Sequence, residues 1–240
     1  MTKPDWVGPP KQSVGDVVHA VIKAGTSVAT AGVGGDLFGF LIQSPFQKRT
    51  TEWMERVEMR LTHLAARDRD IIDRLPTDEV FISVFMSATQ AAIRTQQREK
   101  LQLLASAVEH SAVGTDVSAD LQILFVRFVD ELTPTHFALL GVLADQSEAV
   151  AAIDTYADLR LFFLSHATSV PTHEEFKLFC NDLGSRVLVR FSDAMEDFEG
   201  IAERELLATE ASGQGIKVLV TELGKALLRF VKDESARSAI

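Results

Sequence analysis

Residues 171–191 read PTHEEFKLFCNDLGSRVLVRF. Thr172 followed by Glu175 is a capping box, in which each side chain satisfies the other's backbone N–H at a helix start. Phe176, Phe179 and Leu183 then recur at intervals of three and four, the spacing of one helical face. Gly184 is a stop signal for that helix. Arg186-Val187-Leu188-Val189-Arg190-Phe191 alternates apolar with polar residues, as a half-buried strand does. Glu174, Glu175, Lys177, Arg186 and Arg190 are the candidate interaction face of this part of the chain, although a strand-edge ion pair is the simpler reading of Arg186 and Arg190.

Working outward, Leu132-Thr133-Pro134 is another cap followed by proline at the first helical position. The predicted helix runs from Pro134 to Asp145. Downstream, Gly215 to Val220 reads as a return strand. Thr221 then opens a last helix through Leu227, Leu228, Phe230 and Val231. This order over residues 132–232 resembles a winged-helix domain of the MarR kind, which implies a DNA-reading helix at 172–184 and a wing at 192–215. Two stretches depart from that pattern. Ser147 to Ser169 is longer and more apolar than its counterpart, and Ser192 to Gly215 is long and acidic.

The first half is helical throughout. Ser44-Pro45 predicts a helix start. Trp53, Val57, Leu61 and Leu64 share one face of the helix that follows, Ile71 and Ile72 extend it, and Pro76 ends it. Asp68, Asp70 and Asp73 are matched by Arg67, Arg69 and Arg74, a salt-bridged surface rather than a metal site. Thr77 is the expected cap of a second long helix with Phe81, Val84, Phe85, Ala88, Ala91, Ala92, Leu101, Leu104 and Val108 inward. Leu75-Pro76-Thr77 joins the two as an antiparallel hairpin. After Val113-Gly114-Thr115, Ser118 opens a helix with Leu121, Leu124, Phe125, Phe128, Val129 and Leu132 buried. The whole chain also resembles a family of uncharacterised bacterial helical proteins with a winged-helix-like tail. Glu52-Trp53, Phe81 to Leu104 and Leu132-Thr133-Pro134 carry that resemblance, which brings no established activity.

The N-terminus divides in two. Residues 1–12, with Pro4, Gly8, Pro9 and Pro10, predict a disordered arm. Residues 13–43 form a Gly-rich apolar segment; between Val17 and Ile42 the ionisable side chains are His19, Lys23 and Asp36. A secretory signal is disfavoured by Asp5, Asp16, His19 and Lys23. A membrane span has the needed length, about 20 residues, but would enclose Asp36. A buried helix broken near Gly32 to Gly35 competes with a membrane or partner contact made by Val33, Gly35, Leu37, Phe38, Gly39, Phe40 and Leu41.

Charge narrows function. The 240 residues carry 24 Lys plus Arg against 34 Asp plus Glu, a net charge of -10. Residues 133–240 hold 10 of the cations and 17 of the acids, so -7 of the charge lies there. The winged-helix-like part therefore lacks the positive surface that phosphate contacts require. One Cys excludes an internal disulfide framework. Fifteen of the eighteen aromatics are Phe, which packs and does no proton chemistry. His166 and His173 with Glu174 and Glu175 are the best metal candidate in the chain, but they lack regular ligand spacing, and a surface helix start with a chance His is the preferred reading. Cys180 reads as a buried inert thiol. Gly32-Val33-Gly34-Gly35 lacks the Lys-Ser/Thr of a phosphate loop.

These observations predict a mainly α protein: a disordered arm (1–12), the apolar segment (13–43), a helical domain built on a long hairpin (44–132), and a winged-helix-like domain with a small β-element (133–240). The expected function is a non-enzymatic protein-interaction protein, scaffold or regulator, with no cofactor, no metal and no nucleic acid. Its partner is another protein or a second copy, and its location is cytoplasmic, with membrane association in reserve. The alternative is a peripheral membrane effector that inserts residues 17–42.

Overall fold

The computed structural model describes residues 36–153, 155–167, 170–193 and 216–232, the side chains of 36–45, 69, 192 and 193 apart. They form ten α-helices and one two-stranded antiparallel sheet. The chain divides into two compact units between Asp130 and Glu131, with Val231 returning to the first.

In the first unit, α1 spans Asp36–Arg67, α2 Arg69–Arg74, α3 Glu79–Arg94, α4 Arg98–Val113 and α5 Ala119–Glu131, whose last residue begins the second unit. Trp53, Val57, Leu61 and Leu64 are buried along α1, as their spacing requires. Helix α3 runs antiparallel to α1: Trp53 Nε1 donates to Thr89 Oγ1 (3.0 Å) and Arg49 to the Ile93 carbonyl (3.4 Å). Helix α4 runs parallel to α1, through the Arg60–Glu109 ion pair and Arg74 donating to the Ala112 and Val113 carbonyls. The end of α5 is tied to the α3–α4 corner: Asp130 pairs with Arg94, and its carbonyl accepts from Lys100 at 2.8 Å. Burial holds the Lys100 ammonium below its usual range, with Asp130 opposing the shift.

Several sequence expectations need correction here. The helix does not start at Ser44-Pro45. It begins at Asp36 and runs through Pro45, although an interior proline removes the N–H that would bond residue 41 and its ring crowds that carbonyl. Ile71 and Ile72 lie on a separate short helix, α2, capped by Asp68, and Pro76 sits in a 3₁₀ turn, Leu75–Thr77. The cap of α3 is Asp78, not Thr77. The Asp78 carboxylate accepts from the N–H groups of Val80 and Phe81, both at 3.0 Å, while the Thr77 hydroxyl donates back to the Arg74 carbonyl. The second long helix is two helices. Thr95 is extended, and its Oγ1 accepts from the Gln97 N–H, a local side-chain turn that competes with helix continuation. The expected hairpin is thus a three-helix packing of α1, α3 and α4. On α5, Gln122 and Val126 are buried, with Leu121 and Leu124 half-buried.

The second unit contains α6 (Pro134–Asp145), α7 (Ser147–Val150), α8 (Tyr156–Leu164), α9 (His173–Ser185), β1 (Val189–Asp193), β2 (Ile216–Val220) and α10 (Glu222–Val231). The strands pair in the register Val189↔Val220, Arg190↔Leu219 and Phe191↔Val218. Val189, Ile216 and Val220 face the core with Leu139, Leu140, Phe163, Phe176 and Leu227. Gly184 does not stop α9, which continues to Ser185; β1 starts at Val189 rather than Arg186. The corner between them contains Val187 at φ +58°, a left-handed conformation that β-branched side chains strongly disfavour. The Val187 side chain is 51% exposed, so little packing offsets that strain. Val187→Gly is expected to stabilise the protein by about 1 kcal/mol, read as a higher urea midpoint; an unchanged or lower midpoint would refute the strain.

Candidate interaction surface

Helix α9 is fixed at both ends. At its start the Thr172 N–H donates to the Glu175 carboxylate (2.8 Å) and the Glu175 N–H to Thr172 Oγ1 (3.2 Å). The Thr172 N–H, and after it the Thr172 hydroxyl, hold the Glu175 carboxyl below its ordinary range. The preceding Pro171 carbonyl accepts from Arg160 Nη2 (2.7 Å) and Nε (3.1 Å) on α8.

The buried face of α9 is Phe176, Cys180 and Leu183, each 0% exposed. Phe179 is only half-buried; its ring meets the edge of His136 at 4.6 Å between centroids. Burial pushes the Cys180 thiol up to about 12, so at neutral pH it is protonated and a poor nucleophile.

His136, 3% exposed, links α6 to α9. Its Nδ1 accepts from the Thr133 N–H at 3.1 Å. A backbone N–H can only donate, so Nδ1 carries no proton, and in the neutral ring Nε2–H donates to Asp182 Oδ2 at 3.3 Å. Arg186 continues the chain, 4.0 Å from Asp182 Oδ1 and 3.3 Å from Glu131 Oε2. Arg186 is thus engaged within the unit rather than presented outward.

Outward on α9 lie Glu174, Glu175, Lys177, Leu178 and Asn181, with Leu178 56% exposed. At about 100° per residue, Glu174 and Glu175 flank Leu178 one turn before it, while Lys177 points a quarter-turn or more away. The β1–β2 sheet has its own outer face. Arg190 lies directly opposite Leu219 in the register, Lys217 is two residues along the same face, and all three are exposed. Leu178, Lys217 and Leu219 were not among the residues picked out from the sequence. The alternation in Ile216-Lys217-Val218-Leu219-Val220 contains the signal for the last two, since residues two apart on a strand share a face.

At the base of the sheet, the Thr221 hydroxyl lies 2.7 Å from the Val187 carbonyl, to which it donates, and accepts from the Gly224 N–H at 3.0 Å. The first turn of α10 is thereby held against Leu188.

The remaining sequence candidates are placed as follows. His166 Nδ1 donates to the Phe162 carbonyl (2.9 Å), and His173 opens α9 in an exposed position. Among the described residues no three His, Cys, Asp or Glu are grouped to hold a metal ion. Val33 and Gly35, the arm 1–12 and the acidic stretch 194–215 lie outside the described residues. Leu37, Phe38, Gly39, Phe40 and Leu41 belong to the first turns of α1, their side chains outside the description. Among the described residues no helix is long and apolar enough to cross a membrane. No family model, curated protein or solved structure matches the chain.

Proposed function

We propose that the chain is a non-enzymatic protein-contact protein, with residues 131–230 forming an acidic, winged-helix-like module that meets protein rather than DNA. The order α6, α8, α9, β1, β2, α10 supports the winged-helix-like reading, with α9 in the position of the reading helix. One observation carries the functional conclusion: the outer face of α9 presents Glu174 and Glu175 around an exposed Leu178. A helix entering a groove between phosphates needs cations there. Carboxylates around an exposed leucine suit a protein surface instead.

Fluorescence anisotropy with a labelled mixed-sequence duplex tests this reading. The full chain is expected to give no saturable binding at physiological salt. A nanomolar complex with any duplex would overturn it.

A further inference from the structure

We infer that the first three turns of α1 are a contact surface for a neutral lipid bilayer, with the helix lying in the plane of the membrane and Leu37, Phe38, Leu41, Ile42 and Phe46 on its lipid side. This surface belongs to the first unit and goes beyond the protein-contact reading of the second.

The sequence sets these turns apart from the rest of α1. No ionisable side chain lies between Asp36 and Lys48. At about 100° per residue, Leu37, Phe38, Leu41, Ile42 and Phe46 fall on one half of the helix. Asp36, Gln43 and Gln47 fall together on the other half, with Phe40 beside them. A helix divided in this way suits the boundary between water and lipid.

The other helices of the unit do not cover the apolar half. The buried stripe of Trp53, Val57, Leu61 and Leu64 lies about a quarter-turn away from it. Farther along α1 the same side carries Glu52, Met59 and His63, all exposed. The helices that pack on the stripe also stop short of the first turns. Arg49 donates to the Ile93 carbonyl, one residue before α3 ends. Eleven residues back from the Arg60–Glu109 pair along both parallel helices, the start of α4 at Arg98 is level with Arg49 too. Phe46, just before that level, is 41% exposed.

Size and charge choose the occupant. Three helical turns about 10 Å wide offer a footprint of roughly 160 Å². Even doubled for side-chain relief, that is well below the area of about 800 Å² per partner in a stable protein interface, so this face alone does not hold a second copy. A bilayer needs no matching shape and covers the whole apolar half. The chain carries a net charge of -10, with no cation among residues 36–47, so the attraction is apolar and neutral headgroups suit it better than anionic ones. Lys48, 3.8 Å from Glu52, marks where that side becomes charged and the helix leaves the membrane. Among the described residues no helix is long and apolar enough to cross a bilayer, which fits a contact confined to the surface.

Flotation of the full chain with phosphatidylcholine vesicles tests this. The protein is expected to float with the vesicles equally well in low salt and in about 1 M salt, because screening weakens charge contacts and not apolar ones. Phe46→Glu, and separately Phe38→Glu with Leu41→Glu, are expected to lower the floated fraction about tenfold or more, the effect of placing a carboxylate in hydrocarbon. Gln43→Glu, on the polar half, is expected to leave flotation unchanged. Far-UV circular dichroism melts identify any variant that has failed to fold. The inference is overturned by a chain that does not float, or floats only with anionic vesicles in low salt. It is also overturned if flotation survives in both apolar-side variants, or if Gln43→Glu abolishes it as well. A mass that rises with concentration in sedimentation, without flotation, and that Phe46→Glu returns to the monomer would give the face to a second copy and likewise overturn it. Duplex binding bears on the second unit alone, so the two readings fail separately.

Discussion

Trp53→Ala is expected to lower stability by about 3–5 kcal/mol, the largest effect of any single substitution considered for this protein. Trp53 is 2% exposed on α1, and its indole N–H donates to Thr89 Oγ1 on the antiparallel α3. Truncation removes the ring from the core and leaves a cavity that α1 and α3 close only in part. The helices are held apart by further buried residues on both sides, Val57 and Leu61 on α1 and Phe85 and Ala92 on α3. Thr89 also loses the donor that its hydroxyl accepts from. Trp53→Phe keeps most of the packing and removes the hydrogen bond, so its expected loss is smaller. Urea unfolding followed by far-UV circular dichroism measures both. A loss under about 1 kcal/mol for the alanine variant, the size of an ordinary point substitution, would show that Trp53 does not anchor α1.

Gly224→Ala is expected to cost about 3 kcal/mol, the upper end of typical overpacking, although alanine is the better helix former by about 1 kcal/mol. A Cβ at Gly224 would lie inside contact distance of the Leu188 carbonyl oxygen, and 3.0 Å from Val220 Cγ1. The Leu188 backbone has no freedom to withdraw. Its N–H donates to the Leu183 carbonyl (3.0 Å) and its carbonyl accepts from the Thr221 N–H (3.1 Å). The methyl group must therefore push α10 off the start of β1 or break the Thr221 cap. Urea unfolding gives the size of the loss. Hydrogen exchange locates it, with faster exchange expected for Val189–Phe191 and Val218–Val220 while α3 and α4 keep their protection. An alanine variant as stable as the parent would mean that α10 is free to move away from Leu188.

Both sites bear on what the sequence made legible. Trp53, Val57, Leu61 and Leu64 announce a buried face because their spacing is a property of the helix itself. Nothing near Gly224 announces a close approach, since the clashing carbonyl belongs to Leu188, 36 positions earlier in the chain. The α9 cap was readable from Thr172 and Glu175, and with it the outward placement of Glu174. The exposure of Leu178 beside them was not, because Phe176, Phe179 and Leu178 are alike in polarity. Which of them is buried depends on how α9 is turned against α6 and α8. Arg186 illustrates the same limit. An ion pair at the strand edge is the simpler reading of its sequence position, but that its partners are Asp182 and Glu131, the latter 55 positions away, is set by packing.

By itself the sequence determined a mainly helical chain, the buried stripe on α1, the capped starts at Thr133 and Thr172, and an acidic excess concentrated in residues 133–240. These are one-turn spacings, caps and sums of charge, all short-range or additive. The tertiary structure alone decided that α1 runs through Pro45, that the chain turns at Thr95, that Val187 accepts a left-handed backbone, and that Lys217 and Leu219 share an outer face with Arg190. The register puts Arg190 and Leu219, 29 positions apart, on one face, and the Val187 corner is tied through its carbonyl to the Thr221 hydroxyl, 34 positions away. Such partners are chosen by packing between distant segments, which no local spacing announces.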